Sequence, residues 1–355
     1  MGALFSLAVV LLLSLVAYVG VEFVGMQSFF GIVIPYVAVL TIIVGVVYRV
    51  VTWGKSPVPF AISTSCGQQK SLPWINQSKL DNPSTTSGVI GRMALEILLF
   101  RSLFRNNTSE LREGRLAYSS GKWLWLAALA FHWTFLIVLI RHMRFFAEPS
   151  PVYVSALESL DGFMQIGAPR LYMTGAILLV AVGYLLYRRL AVRTVRYISL
   201  AADYFPLFLI ISIATTGILM RYFFKVDIVS VKELTMGLIG FSPVIPEGIG
   251  VIFYIHVFLV STLFVYFPFS KLVHAGGVFL SPTRNLANDS RMKRHINPWN
   301  YPVKLHPYEE YEDDFREKME NAGIPVEIPS AKAPAEAESE SGNEKNDAEI
   351  PVGEE

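Results

Sequence analysis

FHWTFLIVLIRHMRFF, residues 131–146, closes an apolar run that begins at Trp123, and it carries His132 and His142, with Arg141 and Arg144 beside the second histidine. A run of that length and hydropathy reads as a membrane-crossing helix, which needs about 20 residues. In hydrocarbon an imidazole still has two polar nitrogens to satisfy, and a guanidinium costs several kcal/mol. Residues of this kind inside a span therefore call for a compensating partner or ligand.

The remainder of the chain agrees with a membrane setting. Of its 355 residues, 53% are hydrophobic and only 17% charged, too apolar for an ordinary soluble domain. Six stretches are long enough to cross a bilayer, at about residues 3–24, 29–51, 123–144, 170–188, 203–223 and 250–272. The N-terminal stretch MGALFSLAVVLLLSLVAYVG lacks a basic region and a clear small-residue cleavage site, so it is expected to be a retained span rather than a signal peptide. It matches the myristoylation pattern M-G-x-x-x-S, but the adjacent span already anchors the chain. Between the second and third spans lies a polar segment, 53–121. Within it ALEILLFRSLFR (94–105) carries Arg101 and Arg105 and reads as a helix lying in the membrane interface.

Lysine and arginine set the expected orientation. Segment 53–121 is rich in both, and RRLAVRTVR (188–196), after the fourth span, has four arginines. Segment 147–169 has none, and 224–249 has only Lys225 and Lys232. The positive-inside rule puts the first two in the cytoplasm, and with them both termini of a multi-pass inner-membrane protein. After LVHAGG a polar extension, 276–327, includes RHINPWNYPVKLHPYEEY, whose aromatic and proline content suits a docking surface for a cytoplasmic partner. Residues 328–355 are acidic and poor in apolar side chains, the composition of a disordered tail. The net charge of +1, without a basic stripe, gives no case for nucleic acid.

A single cysteine, Cys66, excludes an intrachain disulfide, a Cys-rich metal site and covalent haem attachment through C-x-x-C-H. Metal chemistry is left to the six histidines. His295 and His306 lie in the tail and read as surface residues. His132 and His142 sit on the third span, and His256 and His274 on the sixth. The 18-residue spacing is five full turns, about 27 Å along one face, and the 10-residue spacing spans about 15 Å. These spans run antiparallel, so His142 is expected opposite His256 near the outer surface and His132 opposite His274 near the inner one. Each pair can ligate one iron axially. Arg141, Arg144, Arg170 and Arg221 lie at outer span ends, where haem propionates would need cations; Lys122 and Lys271 occupy the inner ends. Against this stands the plainer reading of each residue alone, in which a membrane histidine bonds a neighbouring helix and an arginine at a span end snorkels. A rival function, a proton or ion transporter with histidine relays, predicts a colourless protein.

Histidines ten apart on one helix and eighteen apart on the last resemble the dihaem cytochrome b gamma subunit of respiratory nitrate reductase, over about residues 29–275. STSCGQQKSLPWI and NDSRMKRHINPWNYPV are similar to the DsrM family, the cytochrome b subunits of DsrMKJOP complexes, with heterodisulfide-reductase-like membrane complexes as near neighbours. The resemblance implies an all-α integral membrane bundle of six transmembrane helices with a dihaem cytochrome b core and a cytoplasmic C-terminal tail. It also implies two non-covalent haems b, menaquinone as exchangeable substrate, a DsrK-like iron–sulfur partner, and further subunits like DsrJ, DsrO and DsrP. The expected quinone site is at the start of the fourth span, GFMQIGAPRLYMTG (162–175). There Arg170 and Gln165 are the candidate hydrogen-bonding groups, Asp161 or Glu158 the proton acceptor, and Phe163, Met164 and Tyr172 the apolar walls.

Overall fold

The computed structural model describes residues 1–56, 74–164, 169–289 and 305–327. Gln165, Cys66, His295, Trp299, Tyr301 and the acidic tail 328–355 lie outside the described residues. In chain order the helices are α1 (Gly2–Glu22), α2 (Ile34–Gly54, preceded by a π-turn at Phe29–Val33), α3 (Thr86–Leu99) and α4 (Arg101–Phe104). A hairpin of β1 (Asn107–Arg112) and β2 (Arg115–Ser120) follows, then α5 (Lys122–His142), α6 (Val152–Asp161), α7 (Met173–Ala191) and α8 (Arg193–Ile198). The chain continues through α9 (Ala201–Tyr222), α10 (Ile228–Ile239), α11 (Val251–Tyr266), α12 (His274–Gly277), α13 (Pro282–Asn285) and α14 (Tyr308–Asn321).

The architecture is all-α apart from the hairpin. Six helices among the described residues are long and apolar enough to cross a membrane: Gly2–Glu22, Phe29–Gly54, Lys122–Phe145, Met173–Ala191, Ala201–Tyr222 and Val251–Phe269. They match the six expected spans in number and place. Because lipid is as apolar as a leucine side chain, such helices associate through close packing rather than hydrophobic drive, and small residues let their backbones approach. That is how α1 and α2 are seated. A Cβ on Gly20 would lie 2.6 Å from the Phe30 ring, one on Gly31 would lie 3.0 Å from Tyr254, and one on Gly45 would lie 2.6 Å from Pro268. The N-terminal span α1 packs on α9 and α11, with Val10 and Ala17 fully buried. Ser6 fastens its start to α9 by donating to the Ala201 carbonyl at 2.8 Å. One apolar core joins Val10, Val182, Leu209, Ile210, Leu259 and Leu263; a second joins α1, α10 and α11 through Ala17, Val21, Leu234, Phe253 and Tyr254.

Three local features depart from the sequence expectation. The sixth span is not one helix to residue 272. It stops as an α-helix at Tyr266, passes through a 3₁₀ turn at Phe267–Phe269, becomes extended at Ser270 and turns again at Lys271–Val273 before α12. Pro268 removes a backbone donor there, and Arg49 of α2 donates to the Pro268 carbonyl at 3.0 Å, which accounts for an arginine inside a span. The fourth span starts at Met173 rather than 170. Segment 53–121 contains more order than a single interfacial helix. α3 is capped by Thr85, whose side chain accepts from Gly88 N at 3.2 Å, and ends at Phe100 in the left-handed region (φ 50°). Trp125 and Trp133 of α5 donate to the carbonyls of Leu99 and Leu98 at 2.7 and 3.0 Å, tying the end of α3 along the first half of α5. The hairpin turns on Glu113 and Gly114, both at positive φ, as a two-residue hairpin loop favours.

The same end of the bundle gathers the chain beyond the last span. Asn288 N donates to the Pro83 carbonyl at 2.7 Å, its side chain bonds Asn82, and Arg284 pairs with Glu96 at 3.3 Å. At the opposite end α10 is capped by Asp227, whose carboxyl lies below the usual carboxylate range because Ser230 and the Val229 amide donate to it. In the separate C-terminal unit, α14 is an acidic helix braced by Arg316, which pairs with Asp313 at 3.0 Å.

Candidate functional site

Helix α5 carries His132 at its middle and His142 as its last residue, and the structure brings each opposite a histidine of the last span or of the short helix that follows it. The ring centroids of His142 and His256 are 6.4 Å apart with planes 10° from parallel. Those of His132 and His274 are 5.9 Å apart with planes at 81°. Two imidazole nitrogens bound to one metal at about 2 Å each put the ring centroids about 6 Å apart. Both separations fit one ion held between the rings. Among the described residues no group of three or more His, Cys, Asp or Glu could hold a metal. Two protein ligands facing each other suit a metal whose remaining ligands come from a macrocycle, as in haem.

The hydrogen bonds assign the tautomers. Nδ1 of His132 lies 2.7 Å from the Ala128 carbonyl, Nδ1 of His142 lies 2.7 Å from the Val138 carbonyl, and Nδ1 of His274 lies 2.8 Å from the Lys271 carbonyl. A carbonyl only accepts, so Nδ1 donates in all three and the lone pair is on Nε2, turned away from the residue's own backbone. For His256 the partner is Thr216 Oγ1 at 2.9 Å. That hydroxyl gives its proton to the carbonyls of Ser212 and Ile213 at 2.8 and 3.0 Å, so here too Nδ1 is the donor. An Nδ1–H fixed by an outer acceptor, leaving Nε2 free, is the common arrangement of a metal-binding histidine. Phe100 and Phe131 stand edge-on to the His132 ring at 5.0 and 4.9 Å.

At the His142 end the arginines form a built network rather than a snorkelling fringe. Arg141 pairs with buried Asp161, which also accepts from Thr174 N at 2.8 Å and from Thr174 Oγ1 at 2.5 Å. Arg144 pairs with Glu158 at 2.8 Å. The guanidinium groups of Arg141 and Arg221 lie over the Tyr172 ring, 3.3 and 3.9 Å from its centroid. No carboxylate among the described residues pairs with Arg221, and Nε of both Arg141 and Arg221 is buried without a hydrogen-bond partner. Two guanidinium groups facing one carboxylate leave surplus positive charge beside His142, which suits an anionic group such as a propionate. Arg170 is exposed, and its backbone carbonyl accepts from Tyr222 Oη at 3.1 Å and from Arg221 Nη2 at 3.3 Å. At the other end Lys271 pairs with Asp203 at 2.7 Å, and Asp203 also accepts from Leu200 N at 3.0 Å.

Phe163 and Met164 are exposed and Tyr172 is buried under the arginines, so the expected apolar walls do not enclose a cavity together. A shallow, open apolar surface lies instead along the other face of α6, lined by Ile140, Met143, Tyr153, Ala156, Leu157 and Leu160, with Met143 next to His142 in sequence. The sequence reading missed that face, although Tyr153, Ala156, Leu157 and Leu160 follow the helical i, i+3, i+4, i+7 pattern that would have revealed it. Thr216 was missed because a threonine inside a span ordinarily bonds only its own helix.

The fold and these facing histidines define a class: a multi-pass membrane protein with two cross-helix imidazole pairs at different depths of one bundle. Comparison with known proteins agrees. Residues 92–294 match the model of the nitrate reductase gamma subunit family. The chain is 45% identical over 278 residues to the Hdr-like menaquinol oxidoreductase cytochrome b-like subunit of Archaeoglobus fulgidus, covering 76% of this chain and 83% of the relative. It is 40% identical over 274 residues to the protein of the same description from Archaeoglobus profundus, covering 75% and 81%. The chain belongs to the nitrate reductase gamma subunit family.

Proposed function

We propose that the chain is the membrane cytochrome b subunit of a quinol-linked oxidoreductase complex, with one haem b between His142 and His256 and a second between His132 and His274. The observation that carries this reading is the pair of imidazole separations, 6.4 and 5.9 Å, with every Nδ1 committed elsewhere. The description of the Archaeoglobus relatives supports menaquinol as the quinol and Hdr-like subunits as partners. The finer reading is a DsrM-type subunit of a DsrMKJOP complex in sulfur metabolism, working with DsrK-, DsrJ-, DsrO- and DsrP-like proteins. It rests on the sequence resemblance in STSCGQQKSLPWI and NDSRMKRHINPWNYPV, which lie mostly outside the described residues.

Haem supplies one-electron transfer; the chain's own residues hold, orient and insulate it. The four histidines present Nε2, Phe100 and Phe131 shield the His132 side, and Arg141 and Arg221 are placed to neutralise propionates beside His142. The arginine-rich connection Arg188–Arg196 lies at the His132 end, which supports that end as cytoplasmic and the 281–289 segment on α3 as part of the docking surface for the iron–sulfur partner. Quinol is oxidised at the His142 end, where the open apolar surface along α6 suits an apolar ring and tail. Of the two proton-acceptor candidates, Glu158 is the more accessible, its side chain 22% exposed against 3% for Asp161, which is held by three donors.

Purified from membranes with its complex, the chain should give a b-type reduced-minus-oxidised spectrum, two haems per polypeptide by pyridine haemochrome, and a co-purifying iron–sulfur protein. A folded but colourless chain would sink the haem reading and favour the histidine-relay transporter. Arg170→Ala tests the quinol end: it is expected to slow haem reduction by a menaquinol analogue about tenfold or more with both haem spectra intact, the scale of losing a charged hydrogen bond to a bound oxygen. A wild-type rate would move the quinol site away from Arg170, and loss of the outer haem would assign Arg170 to the propionates.

A further inference from the structure

We infer that Thr216 of α9 is a positioning residue for the His142–His256 iron site, fixing the rotation and the donor strength of His256; the inference rests on the haem reading above. Among the four imidazoles, three give Nδ1–H to a backbone carbonyl within their own segment: Ala128, Val138 and Lys271. Such an acceptor moves with its histidine and cannot be exchanged by substitution. His256 alone has a side-chain acceptor, Thr216 of a different helix, which stands beside the Ile213 carbonyl that the ring also meets.

The geometry makes Thr216 more than a threonine bonded back to its own turn. Its single hydroxyl proton is shared between the Ser212 and Ile213 carbonyls, which turns the oxygen's lone pairs outwards, and one of them receives His256 Nδ1–H at 2.9 Å. The next residue is Gly217, and a Cβ there would stand 3.4 Å from His256 Cε1, so position 217 itself puts no side chain on that edge of the ring. The Thr216 hydroxyl, with the Ile213 carbonyl beside it, therefore fixes the rotation of the ring from the α9 side. Its outcome is the near-parallel arrangement with His142, 10° between planes.

Two consequences follow from ligand chemistry. An acceptor on Nδ1–H raises the basicity of Nε2 and favours the ferric state, because the more electron-rich imidazole stabilises the higher charge. Were an iron held in each pair, near-parallel imidazole planes would split the d orbitals that they overlap, whereas planes as steeply inclined as those of His132 and His274 would leave them nearly degenerate. The ferric electron paramagnetic resonance signals of the two sites should therefore differ, and only the His142–His256 signal should depend on Thr216.

The test uses the full-length chain purified in its complex, with Thr216→Val, which keeps the branched shape and removes the oxygen, and Thr216→Ser, which keeps the oxygen. In Thr216→Val the outer haem should dissociate 10–100-fold more readily, the range for losing an outer-shell partner. Its midpoint potential should rise and its ferric signal should shift, while the inner haem's potential and signal stay unmoved. Thr216→Ser should restore the wild-type values. Unchanged potentials and spectra in Thr216→Val, or equal changes at both haems, would overturn the assignment and leave Thr216 a helix-internal bond. A wild-type complex without haem would instead refute the reading on which the inference rests.

Discussion

Replacing His142 with alanine is expected to halve the haem content, from two per polypeptide to one, and to leave the His132–His274 signal in place. On the proposed assignment His142 would be one of only two protein ligands at its site, and a lone His256 with its Nδ1 tied to Thr216 would offer a single bond. Loss of one of two axial ligands removes about half of the protein's direct hold on a non-covalent haem, which then washes out in detergent. The other site has its own two imidazoles, on residues ten and eighteen positions away. Pyridine haemochrome counts decide the matter, with His142→Ala and His132→Ala measured alongside the double replacement. A chain lacking both α5 histidines that still carried two haems would show that the ligands had been assigned wrongly.

The second large effect is on stability. Asp161→Leu removes the one carboxylate paired with Arg141, whose side chain is only 14% exposed. It also strips the acceptor from Thr174 N and Thr174 Oγ1 at the first turn of α7. Breaking a buried ion pair from one side costs about 3–5 kcal/mol, chiefly because the surviving charge is left without compensation. Replacing both partners removes that charge, so Asp161→Leu combined with Arg141→Leu should be closer to wild type than Asp161→Leu alone. Denaturant unfolding of the detergent-solubilised protein, followed by tryptophan fluorescence, measures the order of the three. If the double replacement is the least stable, the pair is not acting as a compensated charge.

Much of this architecture was readable from the chain because its signals are strong and local. Six runs of lipid-compatible residues have few other interpretations, and three imidazoles within two of them, with a fourth just past the last, are too costly to be incidental. The pairing of His142 with His256 and of His132 with His274 needed only the antiparallel order of the spans. The arithmetic behind the inner pair was less sound, since five unbroken turns from His256 to His274 do not exist. Pro268, in YFPFSK, is visible in the sequence and marks the break. What stayed hidden depends on contacts between distant segments. Nothing near Asp161 shows that it closes on Arg141, twenty positions earlier, and nothing near Thr216 shows that it meets His256, forty positions later. The hairpin at 107–120 was the opposite case. Its Glu-Gly turn is a local signal, overshadowed by the length of the polar segment around it.

The distribution of the four imidazoles over secondary structure has a mechanical meaning. α5 is a continuous helix and supplies one ring to each pair, so it acts as a shaft journalled at two points. Sliding or turning it disturbs both sites together. The last span is divided between its two rings: His256 rides on α11, while His274 lies beyond the Pro268–Ser270 break, at the start of α12. That joint lets the His274 bearing seat itself without dragging the other out of line. Alignment is thus rigidly common along one helix and separately adjustable along the other, which is how two cradles far apart can both be brought true in one molecule.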